Sequence, residues 1–155
     1  MKVDVIVLRV PARPEYLALV RMVVAGTARI DPLLDDERVD DLRVIVSEAC
    51  TNAIEATHSR GDGQEASDLD SIQVECRLTA SQVEVIVVDG GRGFDPGHLG
   101  RLPPITDPSR LRIERGLGIP LIRALADESS ISSGPDGTRV QAVLQVAPRP
   151  PTDAA

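Results

Sequence analysis

The stretch DDERVDDLRVIVSEACTNAIEA, residues 35–56, decides how this chain folds. Leu42, Ile45, Val46, Ala49 and Ala53 recur at the three- and four-residue spacing of one helical face. Acidic residues crowd the first turns, where the helix dipole favours them. The spacing predicts an amphipathic helix from about Asp35 to Ala56, the longest element of the chain. Upstream, Pro14 suits a first helical turn, and Leu17, Val20, Val24 and Ala28 carry a second helix from Glu15 to about Ile30, with Arg21 toward its flank. Before it, Val3, Val5 and Val7 alternate with Asp4, Ile6 and Leu8 in a strand that ends near Pro11.

Downstream, residues 58–70 hold Gly, Ser, Asp and Glu without periodicity and read as a solvated loop. Ile72, Val74 and Cys76, then Val83, Val85 and Val87, alternate on either side of Ala80-Ser81, which predicts an antiparallel hairpin closed by Asp89. Residues 90–115 are rich in Gly, Pro and Arg, and a connection of that length in a small domain reads as a functional lid. A helix from Leu117 to Ala126 is followed by strands at Ile131 and over Thr138–Val146, around a turn at Gly134-Pro135-Asp136-Gly137. The Pro-rich residues 147–155 are expected to form an unstructured tail, leaving one domain over residues 1–146.

Aromatic residues are nearly absent, Tyr16 and Phe94 standing alone, so Leu, Ile, Val and Ala must fill the interior. The formal net charge of -7 argues against direct binding to nucleic acid, which needs clustered Lys and Arg. Cys50 and Cys76 sit in apolar-patterned segments and read as reduced core thiols. The start Met1-Lys2-Val3-Asp4 lacks a basic region ahead of an apolar run, and no stretch approaches the ~18 apolar residues of a membrane span, so a cytoplasmic protein is expected.

Four short clusters carry chemistry. Glu48 and Asn52 lie one helical turn apart and about 40° apart around the axis, so both side chains reach one site. A carboxylate there can deprotonate a hydroxyl, and an amide oxygen beside it suits Mg²⁺ between phosphates. In Asp89-Gly90-Gly91-Arg92-Gly93 a carboxylate ends a strand and glycines allow close backbone approach; an ionised Asp only accepts, and so selects an amino group such as that of adenine. Glu114-Arg115-Gly116-Leu117-Gly118 precedes a helix whose free N–H groups favour phosphate. Gly137-Thr138 puts a hydroxyl at a strand start. Each pattern alone is common. Lys2 is the only lysine, which excludes a GxxxxGK[ST] loop, and Pro120-Leu121 follows Gly118 where a GxGxxG fingerprint needs its last Gly. His58 and His98 lack metal-ligand spacing, so zinc is not expected.

In this order the clusters resemble the ExxxN, DxGxG, GxG and GT motifs of the GHKL ATPases, over roughly Val3 to Val146. Val46-Ser47-Glu48-Ala49, Thr51-Asn52-Ala53-Ile54 and Gly116-Leu117-Gly118-Ile119 running to Ala126-Asp127-Glu128 are similar to the anti-sigma serine kinases of the RsbW and SpoIIAB type. The resemblance implies an α/β (α+β) two-layer sandwich of the Bergerat type, a mixed β-sheet with helices on one face and ATP between the long helix and the lid. It makes Glu48 the general base, Asn52 the Mg²⁺ ligand and Asp89 the adenine acceptor. Gly91, Gly93, Gly116, Leu117 and Gly118 would shape lid and phosphate cradle, and Thr138 would support the base. Arg115 would meet phosphate charge, though a surface ion pair would use it equally well; Arg21 falls where such proteins present an arginine to partners, or is an ordinary helix-flank residue. Glu55-Ala56-Thr57 stands where many relatives carry a histidine soon after the Asn. The implied function is phosphorylation of a STAS-type anti-anti-sigma protein on serine and sequestration of a sigma factor, without direct nucleic-acid or membrane binding. Val-rich strands are compatible with the homodimers such relatives form. A nucleotide-gated sequestering module without kinase activity is the rival; the ATP-binding part of a split histidine kinase is disfavoured, since no helix offers a phosphoacceptor His beside an acidic residue.

Overall fold

The computed structural model describes residues 2–30, 34–58, 70–89, 118–134 and 137–146. Its strands are β1 (Asp4–Pro11), β2 (Ser71–Leu78), β3 (Gln82–Asp89), β4 (Glu128–Gly134) and β5 (Gly137–Gln145). They form one five-stranded sheet in the order β1-β2-β3-β5-β4. The helices are α1 (Leu17–Ala28), α2 (Asp36–His58) and α3 (Gly118–Leu125). The expected lid over residues 90–115 and the tail lie outside the described residues, as does the expected loop 58–70 apart from its end residues His58 and Asp70.

α2 forms where the sequence places it, and its start is capped. The Asp35 Oδ1 atom accepts the Arg38 backbone N–H at 2.8 Å, with Asp36 and Glu37 in the first turn. The helix runs to His58, two residues past the expected end, where the His58 Nε2–H donates to the Ala12 carbonyl at 2.9 Å. α1 is shorter than expected. Pro14–Tyr16 make a separate 3-10 turn ahead of it, and beyond its end Arg29 and Ile30 donate to Gly26 and Thr27, each at 3.2 Å, in tightened i to i−3 bonds.

Strand alternation decides which face meets the helices. Ile72, Val74, Cys76 and Leu78 on β2, Val83, Val85 and Val87 on β3, and Val140, Ala142 and Leu144 on β5 are buried at one core with Leu42, Ile45, Val46, Ala49 and Ala53 of α2 and Ile119 and Ile122 of α3. α2 lies centrally, against α1 on one side and α3 on the other. The outer face of edge strand β1 leaves Val3, Val5 and Val7 about half exposed.

The two-layer α+β sandwich is as expected, but the sheet is antiparallel in every pairing of its described strands and not mixed. The strand order explains why. Among the described residues α1 and α2 lie between β1 and β2, and the chain re-enters at the end it left, pairing Pro11 with Ser71. β3 and β4 run the same way, and β5 returns between them and separates the parallel pair. At that β4–β5 turn Gly137 has φ 129°, a conformation that L side chains rarely adopt, so glycine is required there.

Candidate functional site

The ends of β3 and α2, and the starts of α3 and β5, converge at one end of the sandwich. α2 carries Glu48 and Asn52, both half-buried, on the side it turns toward α3. Gly118, the first residue of α3, is buried against them. A Cβ at Gly118 would stand 2.6 Å from Glu48 Oε2 and 3.3 Å from both Asn52 Nδ2 and Glu48 Cβ. With the Glu48 carboxylate where it stands no Cβ fits that gap, so the α3 backbone itself closes on the carboxylate and the amide. The α3 N-terminus brings its first N–H groups to the same place, and Pro120, which has none, falls in the first turn where an N–H has no i−4 partner within the helix anyway.

Asn52 Nδ2 is buried there without a hydrogen-bond partner among the described residues. An orphaned amide of this kind is costly unless something completes it. A phosphate oxygen would accept from Nδ2, and the same amide turned over would offer its oxygen to a cation. Among the described residues no cluster of three or more His, Cys, Asp or Glu could hold a metal alone. The single Asn52 amide oxygen is a hard donor of the kind that suits Mg²⁺ bound mainly through phosphates.

At the sheet surface Asp89 ends β3 and is 5% exposed, while Thr138 on β5 is 4% exposed. The β3–β5 register ends at Val88 with Arg139, so Asp89 and Thr138 are the next residues outward in line. Both continue the inward-facing rows, Asp89 after Val83, Val85 and Val87 and Thr138 before Val140, Ala142 and Leu144. Thr138 Oγ1 also lies 3.3 Å from Ser133 Oγ. A buried acceptor beside a hydroxyl, at the lip of an apolar floor, can recognise a flat amino-bearing ring.

Arg21 is half-buried between α1 and α2, its Nη1 donating to Ser47 Oγ at 3.4 Å, next to Glu48 in sequence. Gly91, Gly93, Arg115, Gly116 and Leu117 lie outside the described residues. The thiols are not part of the site. Burial pushes Cys50 up to about 12 and Cys76 up to about 11, so neither forms a nucleophilic thiolate near neutral pH. No described helix is long and apolar enough to cross a membrane. Sequence reasoning missed Arg38 and Asp127, whose ion pair joins residues 89 positions apart; no local spacing signals such a pair.

Residues 10–144 match the family described as histidine kinase-like ATPase domain. The chain is 36% identical over 136 residues to the serine-protein kinase RsbW of Bacillus velezensis, covering 84% of this chain and 79% of that protein. It is 34% identical over 134 residues to the serine-protein kinase RsbW of Bacillus subtilis, with the same coverage of 84% and 79%. Among solved structures, the RsbU and RsbW domains of a Mycobacterium tuberculosis protein superpose with a TM-score of 0.62 at 19% identity. That match covers 94% of this chain and 33% of the longer one. The histidine kinase domain of a blue-light activated kinase from Erythrobacter litoralis gives 0.50 at 21% identity, covering 88% of this chain and 62% of that one. These two likenesses bear on the fold alone.

Proposed function

This chain belongs to the histidine kinase-like ATPase family, in its RsbW-type branch, and from that we propose that it is an ATP-dependent protein serine kinase that also acts as an anti-sigma factor. The observation that carries the reading is the seat of Gly118 on Glu48 and Asn52, with the buried Asn52 Nδ2 without a hydrogen-bond partner among the described residues. A carboxylate, an amide and a helix N-terminus within one gap are what phosphoryl transfer needs, since that chemistry depends mostly on positioning and charge stabilisation.

In this reading Glu48 accepts the proton of a serine hydroxyl on a STAS-type anti-anti-sigma protein while the hydroxyl oxygen attacks the γ-phosphorus of ATP, whose bond to the β–γ bridging oxygen breaks so that ADP leaves. Asn52 would hold Mg²⁺, whose charge offsets that of the phosphates when it is bound. Asp89 accepts from the adenine amino group and Thr138 supports the base edge. Gly118 keeps side-chain bulk away from the phosphates, and Gly91, Gly93, Arg115, Gly116 and Leu117 border them. Arg21 belongs to the surface offered to the sigma factor and its antagonist, and the phosphorylation state of the antagonist decides which of them is free. The setting is the cytoplasm. Homodimerisation is part of the same reading, supported by the exposed Val5 and Val7 on edge strand β1 and Val3 just ahead of it.

The test is intact-mass spectrometry of a STAS-domain protein from the source organism, incubated with Mg-ATP and this protein or its Glu48→Gln variant. One addition of about 80 Da on the partner is expected. The variant is expected to transfer at least ~10²-fold more slowly while still binding ATP. No addition on any partner, with ATP binding verified, would replace the kinase by a nucleotide-gated sequestering module.

A further inference from the structure

Far from the site, one guanidinium holds three elements together. Arg38, in the first turn of α2, donates from Nη1 to Asp41 Oδ2 at 3.0 Å and to the Leu125 carbonyl at 3.0 Å. Its Nη2 donates to Asp127 Oδ2 at 2.6 Å. Asp127 Oδ2 also accepts the Gln145 backbone N–H at 2.7 Å, and the Asp127 N–H donates to the Val143 carbonyl at 2.9 Å. The start of α2, the C-terminal end of α3 and the last residues of β5 therefore meet at one cation. Leu125 is the final residue of α3, and its carbonyl is among those a helix end leaves without an intrahelical partner. A cation there also complements the helix dipole.

The opposite end of α3 is Gly118, which closes on Glu48 and Asn52 of the same helix α2. Between the two ends, only Ile119 and Ile122 of α3 are buried apolar side chains. Two such contacts fix which face of a short helix points inward, but they resist sliding along its axis weakly. A hydrogen-bonded fork at one end resists sliding directly, because its donors are directional. A helix of eight residues is a rod of about 12 Å, so its two ends move together.

We propose that Arg38 is a positioning residue: gripping Leu125 and Asp127, it sets the height of α3 along α2 and so seats Gly118 on Glu48 and Asn52. It touches no reacting atom. The effect on nucleotide binding rests on the kinase reading above; the effect on the Gly118 seat does not.

The experiment compares Arg38→Met, Arg38→Lys and Asp127→Asn with Arg43→Met. Arg43 makes an ion pair with Asp40 at 2.6 Å within α2 and ties no second element in that contact, so its loss is the control. Two-dimensional NMR follows the Gly118 backbone amide and the Asn52 side-chain amide without nucleotide, while far-UV circular dichroism checks the fold. Arg38→Met and Asp127→Asn are expected to shift both signals and Arg43→Met to leave them in place. Arg38→Lys, which keeps the charge but loses the fork, should fall between. The dissociation constant of Mg-ATP should rise about fivefold in Arg38→Met and stay at the native value in Arg43→Met. Asp127→Asn leaves the Arg38 side chain present, so the proposal remains decidable should Arg38→Met fold poorly. Gly118 and Asn52 signals that move no more in Arg38→Met and Asp127→Asn than in Arg43→Met would overturn it. Failure of the native protein to bind ATP would sink the kinase reading and leave the NMR comparison to decide on Arg38.

Discussion

A Cβ added at Gly118 would stand 2.6 Å from Glu48 Oε2, closer than a Cβ tolerates, yet that oxygen is the free end of a flexible side chain. Gly118→Ala should therefore leave stability within about 1 kcal/mol of native, because the carboxylate can swing aside. The swing removes it from its working position, and phosphoryl transfer should fall about 10- to 100-fold. Thermal unfolding beside a single-turnover transfer rate checks both halves; native transfer by Gly118→Ala would detach the close approach from catalysis. At this scale the sequence was half legible. Glu48 and Asn52 share a turn of one helix, so their nearness follows from helical period alone. That Gly118 would be the residue laid over them, and that Asp89 would stand next to Thr138, depended on elements far apart in the chain.

The packing of α2 on β2 sets the ionisation of its two thiols. Cys50 on the helix and Cys76 on the strand are both fully covered, and burial, with a smaller contribution from the neighbouring group, raises them from 9.0 to about 12 and about 11. An acid whose folded pKa is raised keeps its proton longer in the folded chain than in the unfolded one. The native state then binds more protons above pH 9.0, so this contribution is complete below 9.0 and is lost as pH rises toward 11 to 12. Urea unfolding should show falling stability between pH 9 and 10.5, with a shallower fall in Cys50→Ala, whatever that variant loses at neutral pH by leaving a cavity. An alkaline limb of equal slope in both proteins would count against burial as its cause. The elements themselves were legible as types: the expected helices and strands are present, with ends shifted by a few residues where the Pro14–Tyr16 turn, the tightened bonds after α1 and the His58 contact decide them.

At the scale of the molecule, the described helices cover one face of the sheet, and Val3, Val5 and Val7 are exposed at the β1 edge among the described residues. Sedimentation equilibrium should give twice the 16.6 kDa of one chain. Val5→Lys combined with Val7→Lys should give the single-chain mass, since charge on an exposed edge strand opposes strand and face association. Such surface changes should alter folding stability by no more than about 0.5 kcal/mol each. A native protein that sediments as one chain would end the homodimer reading. The sequence by itself determined the helices, the strands and the Glu48–Asn52 pair, because each is written in a period that a single window contains. Only the tertiary structure decided the antiparallel sheet, the Gly118 seat, the Asp89–Thr138 neighbourhood and the Arg38–Asp127 grip. Those depend on which distant segments meet, and that is chosen by the packing of whole faces, which no local pattern carries.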